Sequence, residues 1–127
     1  LKAYMLISYD DQAAWQAASP EVMQTAKAKV VELCNELQEQ GRLVLVAPLH
    51  PAATATCVKS RNGRVLITDG PFTETREAVG GLYVILAESQ DAALAVARRH
   101  PVGNRADVEV RPLFDITTLQ KSLGFTF

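Results

Sequence analysis

The order of strand-like and helix-like segments constrains the fold of this chain more than any single motif. A strand pattern over residues 2–8 leads into a long amphipathic helix and then into the apolar run 43–47. After a hairpin, a strand at 82–87, a second helix and an alternating run at 108–113 repeat that order. Two β-α-β units joined by a hairpin predict an α+β ferredoxin-like sandwich, with one antiparallel sheet and two helices on one face.

The first helix has clear start and stop signals. Ser19 is followed by Pro20 and Glu21, which supply an N-cap, a first-turn proline and a first-turn acid. Gly41 predicts a left-handed residue at its end. The second helix begins after Ser89 and ends near His100, which is predicted to be a surface residue stabilised by the helix dipole.

The middle of the chain predicts a hairpin and a buried strand. Asn62-Gly63 separates two β-rich runs, and both residues tolerate the positive φ that a tight hairpin requires. The run 43–47 is continuously apolar and is predicted to be a central strand. Because the runs 43–47 and 82–86 are apolar on both faces while helices cover only one, a second copy of the chain is expected to cover the other. The pattern therefore predicts a homodimer.

Size and charge exclude several classes of function. The 127 residues predict one domain, 1–127, and the net charge of −1 without a basic stripe argues against nucleic acid as a partner. No apolar run approaches the ~20 residues that a membrane span needs. The N-terminal apolar run is too short for a signal peptide. A cytoplasmic protein is expected.

The two cysteines show no metal-site spacing. Cys34 falls on the apolar face of the first helix and Cys57 alternates within a strand, so both are predicted to be buried free thiols rather than a redox pair. We expect no metal and no cofactor, because no phosphate-binding glycine loop or nucleophile elbow is present.

The segment from Asp69 to Glu77 is the candidate functional loop. Apolar strands are usually joined by a brief polar turn, whereas this connection is longer, dense in charge and bounded by residues that restrict the backbone. It closes on Gly80 and Gly81, which predict a bulge or a close backbone approach. A shaped loop of this kind predicts a binding or catalytic site.

Asp69 is the predicted catalytic residue of the loop. Asp69-Gly70-Pro71 is also a natural turn, in which the aspartate accepts backbone hydrogen bonds, Gly70 takes a positive φ and Pro71 fixes the exit. Alternatively, the carboxylate points into a cleft as a general base or as an acceptor for a substrate hydroxyl. The two roles are compatible and both stay open.

The neighbouring residues are predicted substrate contacts. Glu74, Arg76 and Glu77 form either a solvated charged turn or a group that orients Asp69. Phe72 is either a core plug that anchors the loop or a platform on which a ligand stacks.

His50 is the second predicted catalytic residue. It follows the apolar run 43–47 and is either an exposed loop histidine or a proton carrier near neutral pH. Tyr9, at the end of the first strand, is predicted to line the same cleft and to bind substrate.

The loop resembles a known family. The string DGPFTETREAVGGLYVI is similar to the signature of the DGPF subgroup of the YCII-related superfamily, and KAYMLISYDD, TATCVKSRNGRVLITDGPF and VEVRPL resemble other parts of that subgroup. The resemblance covers about residues 2–113 and leaves 114–127 as a C-terminal extension. Arg76 stands where the subgroup usually has lysine, which keeps the charge.

The resemblance implies a dimeric α/β barrel and a small cytoplasmic bacterial protein, sometimes encoded near an extracytoplasmic-function sigma factor. The wider superfamily includes a dehydrochlorinase that acts on a chlorinated aromatic compound. A His-Asp pair has been proposed as catalytic in that wider group, with its histidine early in the chain. No histidine precedes His50 here, so that pair is not carried over.

Three functions therefore stay open. The first is a cofactor-independent lyase or isomerase that moves protons on a small aromatic or carbonyl compound. The second is a non-catalytic ligand-binding or accessory protein, linked to stress-response transcription. The third is a structural dimerisation module.

Overall fold

The two β-α-β units and the hairpin between them appear in the order that the sequence predicts. A computed structural model describes residues 1–73, 75, 77–101 and 106–124 of the chain. Its elements, in chain order, are β1 (Lys2–Asp11), α1 (Gln12–Gln16), α2 (Pro20–Glu39), β2 (Leu43–Pro48), a 3₁₀ helix (Ala52–Thr54), β3 (Thr56–Arg61), β4 (Arg64–Asp69), β5 (Glu77–Ala87), α3 (Gln90–Ala97), β6 (Ala106–Pro112) and α4 (Ile116–Leu123).

The main sheet has the strand order β2-β5-β1-β6, and each neighbouring pair is antiparallel. The hairpin β3-β4 forms a separate two-stranded sheet. This mixed α+β arrangement is compatible with the predicted ferredoxin-like sandwich. None of the described helices is long and apolar enough to cross a membrane.

The core lies between one face of the sheet and the helices α2 and α3. Register places Tyr4 opposite Ile85 and Leu6 opposite Tyr83, so these four side chains share a face. Leu33, on α2, is almost fully buried against that face. The apolar face predicted for the first helix is thus confirmed as part of the core. The other fully packed members are Leu37, Ala87, Ala93 and Ala97.

The predicted start and stop signals act as expected. The Ser19 hydroxyl accepts a hydrogen bond from the Val22 N–H at 3.2 Å, and Gly41 has a φ of 70° just after α2. In the hairpin, Asn62 and Gly63 have φ values of 52° and 75°, which are the left-handed angles of a tight type I′ connection. Both predictions are confirmed.

The prediction of buried free thiols is confirmed for Cys57 and only in part for Cys34. Cys57 is buried, Cys34 is half-buried, and both are free thiols. Burial raises the pKa of the Cys34 thiol, because the thiolate is poorly solvated there.

The prediction that residues 43–47 form a central strand is wrong. They lie in β2, which is an edge strand, and Val44, Leu45 and Val46 are 60%, 48% and 38% exposed. A continuous apolar run predicts that both faces are covered, but it does not say that the same chain supplies the cover.

The hairpin also exposes a row of apolar side chains. Val58 lies opposite Ile67 and Val65 lies opposite Ser60, so the three apolar residues share one face of the hairpin. All three are more than 60% exposed. The sheet face that the helices leave uncovered is less open, since Met5 and Ile7 are half-buried and Val84 is buried. The exposed apolar surface therefore follows β2 and the hairpin.

A β-bulge shapes the end of the sheet. Ser8 pairs with Gly81 and Tyr9 pairs with Val79, so Gly80 is the extra residue on β5. A Cβ on Gly80 would overlap the carboxylate of Asp10. The predicted bulge and close approach are confirmed, and the close approach is to a carboxylate.

We predict that Gly80→Ala destabilises the protein by about 1–3 kcal/mol, because the new methyl group displaces the Asp10 carboxylate. In the background Asp10→Ala the same substitution should cost much less, since the opposing group is gone. Urea denaturation of the four members of this cycle measures the coupling. Equal costs in both backgrounds would contradict the packing described for Gly80.

Candidate functional site

The candidate loop is fixed to the hairpin by its glycine. Gly70 has a φ of 94°, which is accessible to glycine and strained for other residues. Its N–H donates to the Ala55 carbonyl at 2.7 Å, and its own carbonyl accepts from the Cys57 thiol at 3.0 Å. The predicted positive φ is confirmed, and the start of the loop is held at two atoms.

This loop forms one side of a cleft of about 820 Å³ at the end of the sheet where β1 finishes and β5 begins. We call it the loop cleft. It is lined by Asp11, Gln12, Ala13, Ala14, Ala52, Ala53, Asp69, Gly70, Pro71, Thr73, Thr75 and Ala78.

The other walls of the loop cleft are tied together by hydrogen bonds. The Gln12 side-chain oxygen accepts from the Ala52 N–H at 2.9 Å, which links α1 to the 3₁₀ helix. Asp11 is buried, and its carboxylate caps α1 by accepting from the Ala14 N–H at 3.1 Å. A carboxylate engaged in this way has a structural role.

Asp69 is placed differently from Asp11. It is exposed at the end of β4 and lines the loop cleft, and no hydrogen bond or ion pair joins its carboxylate to another described residue. Pro71 lines the cleft beside it. The geometry leaves the Asp69 carboxylate available to a ligand.

The other predicted contacts of the loop are dispersed. Glu77 is exposed at the first position of β5, and its carbonyl accepts a hydrogen bond from the Thr75 hydroxyl. Phe72 is 69% exposed, and the ammonium nitrogen of Lys59 lies 6.0 Å from its ring centre. The prediction of a core plug at Phe72 is therefore wrong, because the turn directs the ring outward. Glu74 and Arg76 lie outside the described residues.

The structure does not bring His50 and Tyr9 into the loop cleft. His50 is exposed in the segment that leads to the 3₁₀ helix, and Tyr9 is half-buried on the sheet face away from the helices. Neither lines the cleft. Among the described residues, no group of three His, Cys, Asp or Glu side chains could hold a metal ion.

A second polar cluster, which sequence reasoning missed, lies between the sheet and the end of α3. Tyr83 Oη is 2.7 Å from His100 Nδ1, His100 Nε2 is 3.2 Å from Ser8 Oγ, and Ser8 Oγ donates to Asp10 Oδ1 at 2.7 Å. We call these four residues the His100 chain. The prediction that His100 is a surface residue is wrong, since its ring is half-buried and bonded at both nitrogens.

The tautomer of His100 follows from its partners. Because the Ser8 hydroxyl gives its proton to Asp10, it must accept from His100, so Nε2 carries the hydrogen. Nδ1 of the neutral ring then accepts from the Tyr83 hydroxyl. Burial lowers the pKa of His100, which favours this neutral form, while Asp10 acts in the opposite direction. Burial also raises the pKa of Tyr83 and keeps its hydroxyl protonated.

The His100 chain is not a nucleophilic site. Ser8 is only 4% exposed and its proton points to Asp10, so His100 cannot activate the hydroxyl as a base. A sequence signal for the cluster did exist. Ser8 and Asp10 continue the inward positions of Tyr4 and Leu6 on β1, and polar residues at inward positions need partners.

The fold and the loop cleft define a mixed α+β protein with an antiparallel sheet and an available carboxylate at one end of it. The chain belongs to the YCII-related family, since the model of the YCII-related domain matches residues 3–117. It is also similar to an uncharacterized protein of Rhizobium meliloti, with 33% identity over 112 residues, or 87% of this chain and 90% of that protein. Neither comparison assigns a reaction.

We predict that Gly70→Ala destabilises the protein by about 1 kcal/mol or more, because a Cβ is strained at this φ although space is open around it. Thr73→Ala, at an exposed position of the same loop, is the control and should change stability by less than about 0.5 kcal/mol. Thermal and urea denaturation measure both. A neutral Gly70→Ala would show that the loop does not hold this conformation in solution.

Proposed function

We propose that this protein, as a member of the DGPF subgroup, binds a small organic molecule in the loop cleft and moves a proton on it without a cofactor. The observation that carries the proposal is the Asp69 carboxylate, which lines the loop cleft and is not engaged by any other described residue. A lyase or isomerase acting on a carbonyl or aromatic compound needs such a base.

The surroundings of Asp69 support binding as well as proton transfer. Six of the lining residues are alanine or proline, which provide an apolar surface, while Gln12, Thr73 and Thr75 add hydrogen-bonding groups. A mostly apolar cleft with a few polar groups is typical of small-molecule sites. The backbone beside Asp69 is held through Gly70, which fixes the point from which the carboxylate reaches into the cleft.

In this proposal Asp69 takes the proton. The exposed His50, which lies outside the cleft two positions before the lining residue Ala52, is proposed as a secondary proton carrier. Phe72 and Glu77, two exposed residues of the loop, are proposed as contacts for parts of the ligand that extend beyond the cleft. We place the protein in the cytoplasm.

The second candidate function is ligand binding without turnover, in an accessory protein. The observation that favours it is the state of Asp11, the other carboxylate of the cleft, which is buried and caps α1. A reaction that removes a proton at one atom and returns it at another is easier with two available groups. Binding requires only the surface and Asp69.

Asp69→Asn separates the two functions, because the amide keeps the size and one acceptor oxygen but is not a base. A panel of small ketones, keto acids and phenols in D₂O, followed by ¹H NMR, detects deuterium uptake by C–H bonds. Shifts of the Gly70 amide in matched samples in H₂O detect binding. We expect Asp69→Asn to lose deuterium exchange by about 10²-fold or more while binding persists.

Glu39→Gln, at the exposed end of α2, removes one carboxylate charge away from the cleft and is the matched control, which should leave exchange unchanged. Exchange that survives in Asp69→Asn would exclude Asp69 as the base. Binding by wild type with no exchange for any compound would establish the accessory function instead.

We propose further that the protein is a homodimer of the α/β-barrel type. The edge strand β2 and the apolar face of the hairpin provide exposed apolar surface whose burial against a partner would be favourable. A net charge of only −1 gives little repulsion between two copies.

Light scattering at micromolar concentration should therefore give a mass near twice 13.8 kDa. Ile67→Glu, on the exposed hairpin face, should shift the mass towards the monomer, because a charge would be buried in the interface. Val31→Glu, on the exposed side of α2, is the control and should leave the dimer intact. A wild-type monomer would exclude the dimer.

A further inference from the structure

The loop cleft and the His100 chain meet at Asp10. The next residues along the chain, Asp11 and Gln12, line the cleft, and so does Ala78, the register partner of Asp10 on β5. A shift of the Asp10 backbone therefore moves one wall of the cleft directly.

A second route runs from Asp10 through Gly80. The Asp10 carboxylate occupies the space beside the Gly80 Cα where a side chain would otherwise lie. The Gly80 carbonyl accepts the Leu49 N–H at 2.9 Å, and the chain continues from Leu49 into the 3₁₀ helix, which forms another wall. Both routes end at the hydrogen bond between the Ala52 N–H and Gln12.

The His100 chain has one direction of donation. The Tyr83 hydroxyl donates to His100, His100 donates to Ser8, and Ser8 donates to Asp10, so each hydrogen points towards the Asp10 carboxylate. Aligned hydrogen bonds strengthen one another. Only the first bond requires a neutral ring, because a protonated Nδ1 cannot accept from Tyr83, whereas Nε2 donates to Ser8 in both forms. Protonation makes the Nε2–H a stronger donor and so strengthens the bonds through Ser8 to Asp10.

We propose that the His100 chain is a positioning network for the loop cleft and that protonation of His100 changes the geometry of the cleft walls through Asp10. Such a coupling regulates the site of the proposed function, and its biological role rests on that function. The mechanical coupling itself does not require a ligand.

The groups around His100 set the direction of the response. Among the described residues, Asp10 on β1 acts electrostatically on His100, the Tyr83 hydroxyl is hydrogen-bonded to it, and Cys34 on α2 acts on Tyr83. Arg99, the residue before His100, is paired with Glu36 at 2.6 Å. Burial, the larger effect on His100, lowers its pKa below the ordinary 6.5, while Asp10 opposes it. The folded protein should thus keep the ring neutral at pH 7 and above and protonate it only as the pH falls below about 6.5.

NMR tests the coupling without any ligand. The chain has two histidines, so His50→Gln leaves His100 as the single imidazole. In this variant we expect the His100 ring to be protonated at Nε2 near pH 7.5. The Ala52 amide should then shift with the same midpoint as the ring when the pH is lowered.

Two further variants identify the route. Adding His100→Gln to His50→Gln should abolish the titration of the Ala52 amide in the range of the histidine. Adding Ser8→Ala instead should leave the ring titration and remove most of the Ala52 response, because the link to Asp10 is broken. Asp69→Asn should leave every one of these results unchanged, so a failure of the proposed catalysis is distinguishable from a failure of the coupling.

An Ala52 amide that does not follow the His100 ring would overturn the proposal. So would a ring protonated at Nδ1 at pH 7.5, because the chain would then not point to Asp10. The tautomer measurement uses no change at Ser8 and therefore decides the question even if Ser8→Ala does not fold.

Discussion

The close approach of the Asp10 carboxylate to Gly80 is the constraint on which the site end of the structure depends. It requires a residue without a side chain at the bulge of β5 and an acid at an inward position of β1. An inward carboxylate is costly unless it is hydrogen-bonded, and Ser8 provides that bond. The Ser8 hydroxyl, itself bonded to His100, therefore stabilises Asp10 in this place.

The two carboxylates of the loop cleft illustrate how local structure separates chemical roles. Asp11 lies at the junction of a strand and a short helix, where the first N–H groups of the helix lack partners, and its carboxylate satisfies one of them. Asp69 ends a hairpin strand and is followed by a glycine that carries the anchoring hydrogen bonds on its backbone. Because the Gly70 backbone makes the anchoring hydrogen bonds, the Asp69 carboxylate stays available to a ligand.

The hairpin connects this site to the proposed dimer. Its strand β4 ends at Asp69, and its outward face carries Val58, Val65 and Ile67. An isolated two-stranded hairpin is marginally stable in water, so β3 and β4 need support from another surface. A partner that covers this face would also restrain the base of the candidate loop.

By itself the sequence determined the order of the main elements and the ends of the first helix and the hairpin, because caps, apolar periodicity and the Asn62-Gly63 turn act over a few residues. It also marked the Asp69 loop, whose glycine needs a left-handed φ. It did not predict that β1 extends to Asp11, that β5 begins at Glu77 or that α4 forms. Only the tertiary structure decided that β2 is an edge strand, that Phe72 points outward and that His100 is bonded to Ser8, 92 positions away. These depend on which strands become neighbours, and contacts between distant segments leave no local periodicity in the chain.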